Sequence, residues 1–388
     1  MIKLLIGGSP CTHWSIAQSK DRETEPKGKG WELFRNYLIA KEKYRPDYFL
    51  YENNKSAAQP IKDQISKELG VPLQYINSAL VSAQNRQRFY AHNIPGVPQP
   101  EDRGILLRDI LESGECWREK SYTLDANYYK TAGVYNPQKQ HSYSRLMAAE
   151  PVRIGTIEND AQNPGHDSKQ YRVYSPDGKS TTLCGEGGGV GAKTGLYACP
   201  AIYQTAHGFN AGGIKYDKSP TLTAVGDWAH NNFVIERADG KSRPVYEVQD
   251  GLIAIKGKQY PIKLADGFYI IRKLTVTECK RLQTVPDDYI MPCSASQNYK
   301  MLGNGWTVDV IAHILSYIPG IRDEEIEVLS MYDGMSCGRI ALNKLGANVV
   351  RYCATEIDKY AIQTTMANFP DTVQLGDAFG VRADGWAR

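Results

Sequence analysis

The sequence predicts an α/β protein with a doubly wound, mostly parallel sheet and a second, smaller β-rich domain. Three observations predict it. Near the start, the apolar run Ile2-Lys3-Leu4-Leu5-Ile6 stops at Gly7 and Gly8. Near the other end, Val328-Leu329-Ser330-Met331-Tyr332 stops at Asp333-Gly334. Between them, from about residue 103 to 270, helical periodicity fades and Gly, Asn, Tyr, Ser and Thr dominate. A chain of 388 residues is long for one core. We therefore divide it into 1–102 and 271–388, which share one domain, and 103–270, the second domain.

Each element follows from its pattern. The first strand is Ile2 to Ile6. A helix is predicted from Trp31 to Lys43, where Leu33, Phe34, Tyr37, Leu38 and Ala40 recur at helical spacing. The strand Tyr48 to Tyr51 ends at Glu52-Asn53-Asn54. In the middle segment a short unit recurs as Lys120–Leu124, Lys179–Leu183 and Lys218–Leu222. Its unequal spacing excludes a solenoid, and each copy reads as a turn entering a short strand. Beyond residue 270, Leu274 to Leu282 and Val308 to Ile318 read as helices. Pro319-Gly320 and the acidic Asp323–Glu325 form a surface link. Then come the strand Val328 to Tyr332, a glycine turn, and a helix from Arg339 to Leu345 closed by Gly346. The strand Val349 to Ala354 ends at Glu356, a helix runs from Lys359 to Asn368, and the strand Thr372 to Leu375 ends at Gly376-Asp377.

Composition narrows the function classes. Hydrophobic residues make up 41% and charged residues 23%, the balance of a soluble globular protein. No run of about 18 apolar residues is present, so no membrane span is expected. The first residues lack the basic and apolar blocks of a secretory leader. Eight cysteines without a C-x-x-C pair argue against a zinc site or a disulfide framework and fit a reducing cytoplasm. A net charge of +3 permits nucleic-acid binding through a local patch without arguing for it.

Two constellations carry chemistry. In the C-terminal segment, Asp333-Gly334-Met335-Ser336-Cys337-Gly338 follows a strand and opens a helix. Such a turn brings backbone close to a ligand and aims helix N–H groups at it. Glu356 ends the next strand, where an acid suits the two hydroxyls of a ribose, and Asp377 suits an adenine amino group. An adenosine-containing cofactor fits; the absence of G-x-G-x-x-G weakens a dinucleotide. In the N-terminal segment, Cys11 follows Pro10 just past one strand and Glu52 ends its neighbour. Alone, Cys11 reads as a buried thiol and Glu52 as a surface charge. Together they suit attack on an electron-poor ring, the acid holding a ring nitrogen. Arg86 and Arg88 alternate along a strand and point to one face, suited to a carbonyl oxygen or a phosphate. Gly187–Thr194 imitates a phosphate loop but carries Ala192 where glycine is needed.

Taken together, these residues resemble the cytosine-5 DNA methyltransferases over roughly 1–100 and 271–388. Gly7-Gly8-Ser9-Pro10-Cys11 resembles the family's nucleophile motif, Glu52-Asn53 its glutamate motif, and Gln84-x-Arg86-x-Arg88 its paired-arginine motif. Arg272-Lys273-Leu274-Thr275-x-x-Glu278-x-x-Arg281-Leu282-Gln283 is similar to the helix supporting the recognition domain. Gly303-Asn304-Gly305-Trp306-Thr307-Val308 resembles the last motif of the usual order. Asp333-Gly334-x-x-x-Gly338, Glu356 and Gly376-Asp377 resemble the cofactor motifs. The tryptophan of Gly-Asn-Gly-Trp and Ser82–Arg86 lean toward the de novo enzymes of animals, a look that phage and bacterial enzymes share. Tyr332 stands where phenylalanine is common, and Asn54 where valine usually follows Glu-Asn.

The resemblance implies a circularly permuted methyltransferase fold, because here the cofactor motifs come last. It implies S-adenosylmethionine held by Tyr332, Asp333, Gly334, Met335, Ser336, Cys337, Gly338, Glu356, Ile357 and Asp377, with Asn304, Trp306 and Val308. It implies double-stranded DNA as partner, no metal, and the cytoplasm of a bacterium or phage-infected host, in restriction-modification or phage DNA modification. In the mechanism it implies, Cys11, behind Pro10, attacks C6 of a flipped cytosine, Glu52 holds the amino group and N3, and Arg86 binds O2, with Arg88 a further catalytic candidate. Ser15, Gln84, Lys27 and Lys29 are candidate DNA contacts, the loop Thr12 to Gly30 closing over the duplex. Segment 103–270 becomes the target-recognition domain, with Asn127–Lys130 and Asp227–Asn232 as candidate base readers. Two rivals stand beside this reading. An RNA cytosine-5 methyltransferase of the same fold would prefer tRNA to DNA. A non-catalytic DNA-binding accessory protein would form no adduct with 5-fluorocytosine DNA.

Overall fold

A computed structural model describes residues 1–15, 22–116, 245–255 and 258–384, Trp386, residues 118–121, 123, 124, 126 and 128, and short strands between 148 and 234. The chain divides into two compact units. One comprises Met1–Ile110, Lys120–Lys130 and Thr275–Arg388; the other comprises Leu111–Glu119 and Thr131–Leu274.

The first unit begins with β1 (Ile2–Gly7), α1 (Lys29–Tyr44), β2 (Tyr48–Asn54), α2 (Gln59–Leu69), β3 (Leu73–Asn77) and β4 (Gln87–His92). It resumes with α3 (Val276–Leu282), α4 (Ala295–Asn304), α5 (Val308–Leu315), β5 (Glu325–Met331), α6 (Cys337–Leu345), β6 (Asn348–Thr355), α7 (Lys359–Asn368) and β7 (Val373–Gly376). The seven strands lie in the order β7-β6-β5-β1-β2-β4-β3. Pairings from β7 through to β2 are parallel, whereas β4 runs antiparallel to both β2 and β3. The sheet is thus mixed and mostly parallel. Its central strand, β1, sits between an element from the end of the chain and one from its start.

Alternation along β1 explains why helices cover both faces. Leu5 joins a cluster with Phe34 and Tyr37 of α1 and Ile61 and Ile65 of α2. Ile6 points the other way, against α6: a Cβ on Gly338 would stand 2.2 Å from its Cδ1. Leu4, Leu5 and Ile6 are all fully buried. At about 1.5–3 kcal/mol for each such side chain, this strand anchors both layers.

Several expected elements form with shifted ends. The helix expected from Leu274 starts at Val276, because Thr275 caps it: its Oγ1 accepts from Glu278 N at 3.1 Å while Glu278 Oε2 accepts from Thr275 N at 2.7 Å. The helix expected to reach Ile318 ends at Leu315. Glu325, read as part of a surface link, instead begins β5. β2 continues through Glu52 to Asn54, so Glu52 lies inside the strand rather than beyond it. Helices α2 and α4 are absent from the sequence reading.

The second unit has its own core. Five antiparallel strands lie in the order Lys258–Pro261, Leu252–Ile255, Val245–Gln249, Gly267–Arg272 and Ala148–Pro151. Tyr246, Val248, Ile253, Ile255, Tyr269 and Ile271 cluster there with Ala149. Of the recurring units, Lys120–Leu124 belongs to the first unit, where Ser121 forms a single bridge to Gln84 rather than entering a strand. Lys179–Leu183, Lys218–Leu222 and Gly187–Thr194 lie outside the described residues.

The junction of β1 and β5 yields a stability prediction. A Cβ on Gly7 would lie 2.8 Å from the Met331 carbonyl oxygen, backbone that cannot swing aside. Gly7→Ala is expected to lower the unfolding free energy by about 1–3 kcal/mol. Urea denaturation reads this directly, and an unchanged midpoint would refute the close approach.

Candidate active site

The site is built within the first unit, where β1 and β2 end side by side. After β1 the chain passes through Gly8, Ser9 and Pro10 into one 3-10 turn, Cys11–His13. This segment is fastened to β2. A Cβ on Gly8 would meet the Glu52 carbonyl oxygen at 2.7 Å and its Oε2 at 3.0 Å, so only glycine fits. Ser9 Oγ shares a 2.7 Å hydrogen bond with Tyr51 Oη, and Asn53 Nδ2 donates to the Ser9 carbonyl at 2.9 Å. Pro10 is exposed and Cys11 partly exposed.

The stems of the following loop are clasped. Trp14 N and Ser15 N donate to Cys11 O at 3.0 and 2.9 Å. Glu23 accepts from Trp14 Nε1 at 3.0 Å and from Gly30 N, at the start of α1, at 3.1 Å. Arg22 donates to the carbonyls of Trp14 and Ser56. Asn54 Nδ2 donates to Ser15 Oγ at 3.4 Å, giving the departure from valine a partner in the nucleophile segment. Lys27 and Lys29 are exposed. Residues 16–21 lie outside the described residues.

Glu52 is buried and meets a different donor at each oxygen. Arg88 Nε lies 2.9 Å from Oε1, and Trp306 Nε1 donates to Oε2 at 3.0 Å. Arg86 is placed differently from the sequence reading. It precedes β4, so the expected shared strand face does not form. Its Nη1 donates to Leu124 O at 2.8 Å and its Nη2 to Gly305 O at 2.9 Å, with Gly303 O at 3.3 Å from both. Burial, joined by the nearby Arg88 charge, lowers its pKa to about 10, and the Glu52 carboxylate opposes this. It stays protonated at neutral pH, but its hydrogen bonds go to protein carbonyls. Gln84 is corrected likewise. It is fully buried, its Nε2 donating to Leu282 O at 3.2 Å and its Oε1 accepting from Leu124 N at 2.8 Å. Tyr128 is also buried, packed edge-on to Tyr299; Asn127, Tyr129, Lys130 and residues 227–231 lie outside the described residues.

The glycine turn after β5 is held from several sides. Tyr332, Gly334 and Ser336 all take left-handed backbone, at φ 61°, 59° and 57°. For the two that are not glycine, this conformation persists only where neighbours impose it. Tyr332 Oη donates to Leu33 O at 2.7 Å, Asp333 N to Thr355 O at 3.0 Å, and Tyr289 Oη to Met335 O at 2.7 Å. Ser336 and Tyr352 donate to the Asp333 carboxylate. Burial raises the pKa of Asp333, against these bonds. Asp333, Met335, Ser336, Cys337 and Val308 are therefore buried and shape the turn from behind, whereas Asn304 and Ile357 face outward.

Open space lies beside the turn. A Cβ on Gly334 would meet nothing within 4 Å. Glu356 Oε2 accepts from Gly334 N at 2.8 Å, which brings the acid of β6 to the turn. Ile357 is 72% exposed next to it. Asp377, after β7, accepts from Phe379 N at 2.9 Å. A carboxylate, an exposed apolar side chain and bare backbone suit a ribose and a flat heterocycle. Among the described residues no cluster of His, Cys, Asp and Glu could hold a metal, and no helix is long and apolar enough to cross a membrane.

The sequence reading gave Tyr51 and Glu23 no part in the site; Ser9 entered it only within the nucleophile motif, Arg22 only as a loop cation and Asn53 only beside Glu52.

The chain is similar to known DNA methylases. A sequence model of the C-5 cytosine-specific DNA methylases matches residues 1–94 and 201–319. The orphan methyltransferase M.SPRI of Bacillus phage SPR is 26% identical over 370 residues, covering 80% of this chain and 81% of its own length. M.Rho11sI of Bacillus phage rho11s is 24% identical over 275 residues, 58% of this chain and 54% of its own. The type II methylase M.HgiEI of Herpetosiphon aurantiacus is 26% identical over 200 residues, 47% and 44%. A solved Entamoeba histolytica methyltransferase overlaps 81% of this chain and 76% of its own at 10% identity and a TM-score of 0.37, too loose to support an argument.

Thiol environments differ enough to test. Burial pushes the Cys337 thiol up to about 12, and Cys279 is fully buried, whereas Cys11 is partly exposed. Iodoacetamide at pH 7.5 is expected to alkylate Cys11 in the native protein and to spare Cys279 and Cys337 until urea is added. Peptide mass spectrometry checks this; labelling of Cys337 before Cys11 would contradict the arrangement.

Proposed function

This chain belongs to the C-5 cytosine-specific DNA methylases, and from that membership we propose that it moves a methyl group from S-adenosylmethionine to C5 of a cytosine flipped out of duplex DNA, through a Cys11–C6 bond. One observation carries the reading: the segment leading into Cys11 lies against Glu52, a Cβ on Gly8 standing 2.7 Å from the Glu52 carbonyl oxygen and 3.0 Å from its Oε2. A thiol after one strand and a carboxylate within its neighbour are thus brought to the same sheet edge.

The residues then have distinct tasks. Stacking covers both ring faces in a duplex, so the base must leave the stack to be attacked. Cys11 adds as thiolate: the S–C6 bond forms and the C5=C6 electron pair shifts toward C5, N3 and O2. Glu52 accepts from the exocyclic amino group and holds the N3 edge, while Arg88 beside it offsets charge growing on the ring. Pro10, at φ −49°, fixes the backbone entering the nucleophile. S-adenosylmethionine supplies an electrophilic methyl group when bound. Glu356 would take its ribose hydroxyls and Ile357 the adenine face, with the open side of Gly334 admitting the backbone contact. Loss of the C5 proton to solvent and cleavage of S–C6 returns Cys11 as thiolate.

Other parts of the reading rest on organisation. Lys27, Lys29 and Ser15 flank the nucleophile segment and suit phosphate contacts. The unit spanning 111–119 and 131–274 suits target recognition. The cytoplasm of a bacterium or phage-infected cell suits the enzyme. A circular permutation would account for β1 pairing in parallel with β5, an element from the far end of the chain.

Purified protein given radiolabelled S-adenosylmethionine is expected to label duplex DNA and not tRNA. Cys11→Ala should abolish the label and Glu52→Gln should reduce it at least a hundredfold. Full activity in Cys11→Ala would end the covalent mechanism. Bisulfite sequencing of DNA from expressing cells would give the target sequence.

A further inference from the structure

We propose that Trp306 is a positioning residue for Glu52, coupling the turn that carries it to the group that holds the base. The proposal rests on the cytosine chemistry above and adds a residue to it. The sequence reading placed Trp306 with the cofactor. Its indole N–H instead donates to Glu52 Oε2 at 3.0 Å, opposite the Arg88 contact on Oε1 at 2.9 Å. The two donors arrive from different elements and fix both the position and the rotation of the carboxylate plane. Gly8 closes the third side, where a Cβ would stand 3.0 Å from Oε2 and 3.4 Å from Trp306 Nε1.

The indole can act as a fixed donor because the backbone on each side of it is held. Before it, Gly305 O accepts from Arg86 at 2.9 Å. After it, Thr307 Oγ1 donates to Gln283 Oε1 at 3.0 Å and accepts from Ser78 Oγ at 2.8 Å. The same turn lies against Cys337, first residue of α6: a Cβ on Gly305 would stand 3.1 Å from its sulfur. The helix that opens at the glycine turn thus abuts the turn that aims Trp306 at Glu52. A shift of one is transmitted to the other through packed atoms.

The test separates this role from that of a cofactor-pocket wall. With duplex DNA carrying [5-³H]cytosine and no methyl donor, Cys11 addition lets C5 take a solvent proton and release tritium before the S–C6 bond reopens. This signal depends on Glu52 and not on cofactor. Trp306→Phe keeps the ring and loses the donor. It is expected to cut tritium release at least tenfold while the Kd for S-adenosylmethionine, measured without DNA, changes less than twofold. Trp306→His, which retains an N–H, is expected to recover at least a third of the loss. In a Glu52→Gln background, Trp306→Phe should add less than a twofold further loss. Unchanged exchange in Trp306→Phe, or an equal loss in both backgrounds, would overturn the proposal. Equal tritium release by wild type and Cys11→Ala would instead reject the parent chemistry, and this proposal with it.

Discussion

The buried guanidinium of Arg86 is the interaction on which the site depends. It ties together stretches far apart in sequence: Leu124, Gly303 and Gly305 all turn carbonyls toward it. Hydrogen bonds to a charged group are worth about 1.5–3 kcal/mol each, and more is lost when a buried charge is left unpaired. The guanidinium thereby braces the turn Gly303–Gly305 that leads into Trp306.

A second constraint is backbone strain in the turn after β5. Left-handed Tyr332 and Ser336 cost on the order of 1–3 kcal/mol each unless surrounding contacts impose them. Here the contacts are named. Tyr332 is pinned by its hydroxyl to α1, and Ser336 by Asp333 and Thr365. The result is a stretch of bare backbone facing open space at Gly334, with buried polar groups behind it. Rigidity on the inner side is what keeps the outer side available for a ligand.

Much of this was legible in the sequence, and what was not has a physical reason. The helix Lys359–Asn368 matches its expected ends, because Asp358 caps it through Tyr360 N and Asn368 precedes a residue outside the helix. Strand-then-glycine punctuation located both turns. Period-two logic failed at Arg86, because it assumes a strand where the chain is still entering one. Gln84 and Arg86 are polar and so read as outward; their burial is allowed only because carbonyls and amides 38 to 219 residues away satisfy them. Helix α2 was overlooked because its apolar stripe is only Ile61, Ile65 and Leu69 among charges. The bond between Trp306 and Glu52 spans 254 residues, and no local pattern encodes it.

The clasp around the nucleophile segment completes the argument. A partly exposed cysteine in a loop is ordinarily free to sample many positions, and that freedom must be lost before it can attack a fixed carbon. Here it is lost in advance. Cys11 O is bonded by two backbone N–H groups, Ser9 is locked to Tyr51 and Asn53, and Glu23 joins Trp14 to the start of α1. Glu52 is fixed from the other side by Arg88 and Trp306. A carboxylate offers about four lone-pair positions, so two donors leave room for the edge of a base. The backbone of Cys11 and the carboxylate of Glu52 are therefore held by separate sets of contacts. Such preorganisation is worth most when charge develops in a pocket from which water has been excluded.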